Sequence, residues 1–170
     1  MNHPARRLMG IFAHPDDESL GMGGTFLKYA SEGTATYLLT ATRGERGRFG
    51  TQQASPGLEV VGKTREQELL AAAEILKIKE VTFLDYMDGD VDKAIHTEAI
   101  AKISLHIRRV QPQVVVSFGP EGGYGHPDHI AISQFATAAI MKAADASFPT
   151  ENYSPFAVSK LYYMAWPPAK

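Results

Sequence analysis

The stretch FAHPDDESLGMGGTF, Phe12 to Phe26, sets the end of an apolar run against a histidine, a proline and three consecutive acidic residues before any glycine appears. The run LMGIFA (8–13) reads as a buried strand, and the segment from about Gly21 to Glu32 as the helix that follows it. Carboxylates a few ångströms apart repel unless a cation, a proton or a set of donors offsets them. A strand that ends in so much like charge therefore points to chemistry at its exit.

Outward from this stretch the alternation continues. TATYLLT (34–40), VTFL (81–84), QVVVSF (113–118) and VSKLYYMAW (158–166) read as strands, and 63–77, 95–110 and 128–144 as helices. This order predicts an α/β fold, a Rossmann-like three-layer sandwich with a mostly parallel central sheet. QVVVSF has the continuous apolar character of a central strand. In the 95–110 helix, Leu105, His106, Arg108 and Arg109 divide between a buried and a wet face. Ligands of such sheets sit beyond the carboxyl ends of strands where strand order reverses. Two strand ends are loaded with polar groups, His14 to Glu18 and Gly119 to His129. Were those strands neighbours, the two clusters would face one crevice.

Length and composition restrict the rest. A chain of 170 residues, 44% apolar and 21% charged, reads as one ordinary globular domain spanning 1–170. A net charge of -2 and a pI near 6.3 leave no basic stripe for nucleic acid. With no cysteine, thiolate zinc sites and disulfides are excluded, so any metal falls to histidine and carboxylate. Arg6 and Arg7 precede too short an apolar run for an export signal, and no stretch reads as a membrane span. The expectation is a cytoplasmic protein with a small-molecule partner, its homo-oligomeric state left open. The loop Arg43 to Gly62 is long enough to suggest function or mobility.

AHPDDE (13–18) and GHPDH (125–129) together offer His14, Asp16, Asp17, His126, Asp128 and His129. Two histidines and one carboxylate leave a fourth position on zinc open for water, the composition of a hydrolytic site. The plainer alternative is that Asp16, Asp17 and Glu18 only cap a helix and complement its dipole. A second HPD at a second strand-to-helix junction weighs against it. Spacing alone does not separate His126 from His129 as the third ligand.

AHPDDE with a later GHPDH, accompanied by TRGE (42–45), TREQEL (64–69) and YMDGD (86–90), resembles the LmbE-like or PIG-L family of zinc-dependent N-acetylglucosaminyl deacetylases. The resemblance implies one Zn2+ per chain held by His14, Asp17 and His129, although another divalent ion would also suit these donors. It makes Asp16 the general base that takes a proton from a zinc-primed water attacking an acetamide carbonyl. It casts His126 as acid or oxyanion-stabilising group, with Asp128 to orient it and Tyr124 as a further donor. Arg65 would bind substrate and Asp88 a sugar hydroxyl, the substrate being an N-acetylated amino sugar or its conjugate.

Competing readings remain at several positions. Arg65, taken as sitting in the first turn of a helix, could instead pair with Glu66 or Glu68, and Asp88 belongs to a turn rich in Asp and Gly. Arg43, Glu45, Arg46 and Arg48 form either a solvated loop or a substrate contact. Gly21, Gly23 and Gly24 lack dinucleotide-fingerprint spacing and suit close helix packing. His3, His96 and His106 read as surface or edge residues. GLEVVGKT (57–64) matches the P-loop pattern of an NTPase, but no strand precedes it. Family members generally run longer, so the chain reads either as lacking C-terminal segments or as a minimal variant with an open site. A truncated metal-binding, sugar-binding module without catalysis is the rival class.

Overall fold

The computed structural model describes residues 5–50, 55–148, 150 and 152–165. Five parallel strands form one sheet: β1 (Arg7–Phe12), β2 (Ala35–Thr40), β3 (Glu80–Phe83), β4 (Val114–Phe118) and β5 (Lys160–Met164). Their spatial order is β3-β2-β1-β4-β5. Helices α1 (Asp17–Ser31), α2 (Leu58–Ile75), α3 (His96–Val110) and α5 (Pro127–Ala144) connect them, with α4 (Gly122–Gly125) a single irregular turn. The chain winds outward on both sides of β1, and because parallel crossovers are right-handed as a rule, this order sets helices on both sheet faces, which makes the predicted sandwich. The near-unbroken burial of β1, β2 and β4 follows from that double cover.

Strand order reverses between β1 and β4, and these strands pair directly, Leu8 against Val114 through Gly10 against Val116. The condition set by the sequence reading is met, and the two polar strand ends open onto one crevice. Phe12 and Phe118 close the core beneath it, edge to face with ring centroids 5.5 Å apart. Hydroxyls fasten the strand exits: Ser117 donates to the Ile11 carbonyl, Ser133 to Phe118 and Thr42 to Ala13.

Several boundaries differ from the sequence expectation. Helix α1 starts at Asp17, not near Gly21, because Asp16 turns the chain with a left-handed backbone (φ 111°, ψ -28°). Helix α2 starts at Leu58, five residues early, so GLEVVGKT is helical and Thr64 donates to the Val60 carbonyl. No phosphate loop exists there. Arg65 consequently lies in the third turn, and the argument from the helix dipole does not apply. Of the three α1 glycines, Gly21 faces Met164, whose thioether a Cβ would overlap, while Gly24 faces open space.

Arg108 is the largest departure: it is only 2% exposed, whereas Leu105 reaches solvent. Its guanidinium donates to the carbonyls of Ala143 (2.9 Å), Asp145 (2.6 Å) and Phe148 (2.8 Å), and lies over the Phe148 ring. The C-terminal carbonyls of α5 need donors, and a planar fork supplies several at once. His96 is exposed and His106 half-buried. His3 and the Trp166 end of the last predicted strand lie outside the described residues. Among the described residues no helix is long and apolar enough to cross a membrane.

Candidate active site

At the exit of β1 the Asp17 carboxylate folds back onto the chain, its Oδ2 accepting from the amides of Ala13 (3.1 Å) and His14 (2.9 Å). The Asp16 side chain does not cap α1, whereas Asp17 and Glu18 lie in its first turn as the plainer reading expected. Asp17 is also held with Oδ1 3.4 Å from His129 Nε2. His14 Nδ1 lies 3.2 Å from the same nitrogen and 3.8 Å from Asp17 Oδ2. Zinc bonds of about 2.0–2.1 Å place tetrahedral ligand atoms roughly 3.3–3.4 Å apart. The two histidine nitrogens, 3.2 Å apart, have the spacing of ligands on one such ion, and Asp17 approaches them through different oxygens, Oδ1 at 3.4 Å from His129 and Oδ2 at 3.8 Å from His14.

Each ring is oriented from behind. His129, in the first turn of α5, stacks on Phe118 (3.9 Å, 8°) and its Nδ1 donates to the Gly122 carbonyl at 3.2 Å, leaving Nε2 for the crevice. His14 turns Nε2 toward Asp128 Oδ2 (3.0 Å) and Asp88 Oδ1 (3.2 Å). Donor atoms of His14, Asp88 and Asp128, and those of His14, His126 and His129, each gather within 4.8 Å. The carboxylates of the first group accept from the amides of Arg46, Gly89 and Val91, as that of Asp17 does from Ala13 and His14, and the second group shares His14 and His129 with the cluster around Asp17.

Without a cation, protons do the balancing. Burial disfavours charge on His14, but hydrogen bonds to Asp128 and Asp88 and the charge of Asp17 outweigh it, and the imidazole is pushed up to about 10. Burial pushes the Asp17 carboxyl up to about 7 against the pull of His14. His129 is pushed down to about 4 by burial and then by the positive charges of His14 and His126. The crowded acids at the strand end are thus matched by a proton, by backbone donors and by a place for a cation.

Asp16 projects into a different environment. Its Oδ2 accepts from Arg65 Nη2 at 2.7 Å, its amide donates to Glu18 Oε2 at 3.0 Å, and its side chain is 48% exposed. Arg65 also donates to the Pro15 carbonyl (2.5 Å) and lies 3.6 Å from Glu68. Glu66 is paired with Arg43 instead. The leading partner of Arg65 is therefore one that sequence spacing did not suggest.

The expected orientation of His126 by Asp128 is corrected. The fully buried Asp128 carboxylate accepts from the amides of Gly89 (2.6 Å) and Val91 (3.1 Å) and faces His14. His126 touches Asp128 only through the backbone, its Nδ1 accepting from the Asp128 amide at 3.2 Å as the N-cap of α5. The His126 ring lies 4.9 Å from those of both His14 and His129. Tyr124, 72% exposed, sits between Gly123 and Gly125, both at positive φ, with its ring 5.1 Å from His129.

Asp88 is buried behind His14 and directs its second oxygen to the Arg46 amide (2.9 Å), so the structure turns it toward protein partners and not outward to a sugar. Arg46 further bonds the Asp88 carbonyl and Asp90, and Glu45 accepts from the Asp88 amide. The charged loop is anchored at these positions, while Arg48 is exposed. Glu18 and Gly89 were missed as site elements. Only the acidic residue two positions after an N-cap hinted at the first.

Comparisons with known proteins bear on the family and the fold. The 1D-myo-inositol 2-acetamido-2-deoxy-alpha-D-glucopyranoside deacetylase of Kineococcus radiotolerans is 36% identical over 189 residues, covering 95% of this chain and 52% of that protein. The chain thus spans about half the length of that relative. Among solved structures, N,N'-diacetylchitobiose deacetylase from Pyrococcus horikoshii superposes with a TM-score of 0.81 at 24% identity, covering 93% of this chain and 59% of that one. That likeness concerns the fold. GalB, the 4-carboxy-2-hydroxymuconate hydratase of Pseudomonas putida KT2440, gives a TM-score of 0.77 at 27% identity, covering 93% of this chain and 65% of that one. A family model matches residues 9–140, which contain both HPD motifs, most of β1 and all of β2, β3 and β4. The chain belongs to the family so described, PIG-L: GlcNAc-PI de-N-acetylase.

Proposed function

We propose that this chain carries the catalytic site of a metal-dependent N-deacetylase that removes acetyl from an N-acetylglucosamine-containing small molecule. One observation carries the reading: His14 Nδ1 and His129 Nε2 meet at 3.2 Å at the β1–β4 switch point with the Asp17 carboxylate beside both, one oxygen 3.4 Å from His129 and the other 3.8 Å from His14, and Asp16 adjacent in sequence. The family description and the name of the Kineococcus relative both specify an acetylated glucosamine unit, which supports the substrate class.

His14, Asp17 and His129 would hold the ion, and zinc suits a nitrogen-and-oxygen donor set without thiolate. When bound, zinc lowers the pKa of water and polarises a carbonyl. Asp16 accepts the proton of the attacking water, and Arg65 holds its carboxylate in place until then. His126 supplies the proton that amide nitrogen needs in order to leave. Its Nδ1 is committed to the Asp128 amide, so the ring presents Nε2 for that transfer. Tyr124, on its glycine-flanked turn, donates to the developing oxyanion.

Acetate release from N-acetylglucosamine, its inositol conjugate and N,N'-diacetylchitobiose tests the reading, measured beside metal content with and without chelator. One zinc per chain is expected, with release abolished by chelation and restored by zinc. Zinc bound firmly with no acetate from any of the three would overturn it. Water addition, the hydratase chemistry named for GalB, or a non-catalytic sugar-binding module would then be favoured.

A further inference from the structure

We infer that Asp128 is a positioning residue for His14, and that through it the 86–91 loop is a working part of the metal site. The inference rests on the metal centre proposed above. His14 Nε2 carries one hydrogen when its other nitrogen ligates, yet two carboxylates approach it, Asp128 at 3.0 Å and Asp88 at 3.2 Å. They are not equally fixed. Asp128 has no exposure and is pinned by two amides, those of Gly89 at 2.6 Å and Val91 at 3.1 Å. Asp88 receives only the Arg46 amide at 2.9 Å, and its side chain is 12% exposed. The rigid acceptor decides where the ring hydrogen resides, and Asp88 supports it.

With the hydrogen on Nε2, the lone pair of His14 is on Nδ1, the atom 3.2 Å from His129 Nε2. His129 has the opposite arrangement, because its Nδ1 donates to the Gly122 carbonyl. The site therefore ligates through Nδ1 of one histidine and Nε2 of the other. A single carboxylate joins three segments distant in sequence: the first HPD motif, the Asp88–Val91 turn and the second HPD motif. Gly89 makes this joint feasible. At φ +79° it turns its amide toward Asp128, and the Arg46 guanidinium fills the space where a side chain would begin. Carboxylates behind metal-bound imidazoles typically contribute 10- to 100-fold in metal affinity.

Nitrogen-15 NMR of histidines in the zinc-loaded full chain reads the arrangement directly. The expected spectrum has His14 metallated at Nδ1 and protonated at Nε2, with the reverse for His129. Zinc affinity, measured by chelator competition without substrate, should fall on the order of 10- to 100-fold in Asp128→Asn and less in Asp88→Asn. Thermal unfolding establishes that each variant is folded. Should Asp128→Asn fail to fold, the wild-type spectrum decides alone. Metallation of His14 through Nε2, or a folded Asp128→Asn with wild-type zinc affinity, overturns this inference and leaves the deacetylase reading standing. A wild-type chain that binds no zinc overturns both.

Discussion

Arg108→Met is a quantitative test of how the helix layer beneath the site is held. The substitution keeps an apolar stem of similar reach and removes the donors to the carbonyls of Ala143, Asp145 and Phe148. A hydrogen bond from a charged group is worth about 1.5–3 kcal/mol net. The three are not fully additive, because a hollow of about 360 Å³ beside Arg108, lined also by Phe148 and Tyr153, lets water reach the vacated carbonyls. A loss of roughly 3–5 kcal/mol is expected, a large share of a domain's usual margin. Urea unfolding should show it as a lower midpoint with unchanged slope. Arg108→Lys should recover little, since one ammonium cannot serve carbonyls on three residues. Because the guanidinium bonds no carboxylate among the described residues, added salt should leave the difference between wild type and variant unchanged. A loss below about 1 kcal/mol would refute the reasoning.

Asp16→Asn should retain zinc and lose about 10²- to 10⁴-fold in turnover, whereas His14→Ala should lose the metal; metal analysis beside acetate release separates them. In the metal-free chain His14 is pushed up to about 10 and Asp17 up to about 7, so an entering cation must displace protons from both. Zinc affinity should accordingly rise with pH, by about tenfold per unit from pH 7 to 9 and more steeply below 7; calorimetry in buffers of different ionisation enthalpy counts the protons. Gly122→Ala places a methyl 2.9 Å from the Ile130 amide nitrogen at φ +67°. It should cost about 2 kcal/mol of stability and weaken zinc binding by displacing the carbonyl that orients His129, both readable from thermal unfolding with and without zinc.

The strands and the two HPD motifs at their exits were legible because they depend on local signals, whereas the pairing of β1 with β4, on which the meeting of the motifs depended, became visible only in the fold. Apolar runs mark β1 and β4, and proline with acidic residues marks their exits. What the sequence could not reveal were partnerships made across the fold. Asp128 and His126 are two apart, which suggested a pair, yet α5 turns the Asp128 carboxylate toward a loop 39 residues away. Arg65 looked like a match for its own helix neighbours until the tertiary approach of Pro15 and Asp16 offered a better one. The start of α2 was hidden because no side chain caps it. Arg108 read as a solvent-facing charge because periodicity records polarity and not the carbonyls waiting at the end of another helix.

The left-handed backbone at Asp16 has an evolutionary corollary. A side chain at φ 111° is held against its own conformational preference by about 1 kcal/mol or more, a strain that glycine would not feel. Asp16→Gly should therefore yield a sturdier but inert protein. A lineage released from selection for turnover would have a downhill route to losing the base proposed for the residue where the chain enters α1.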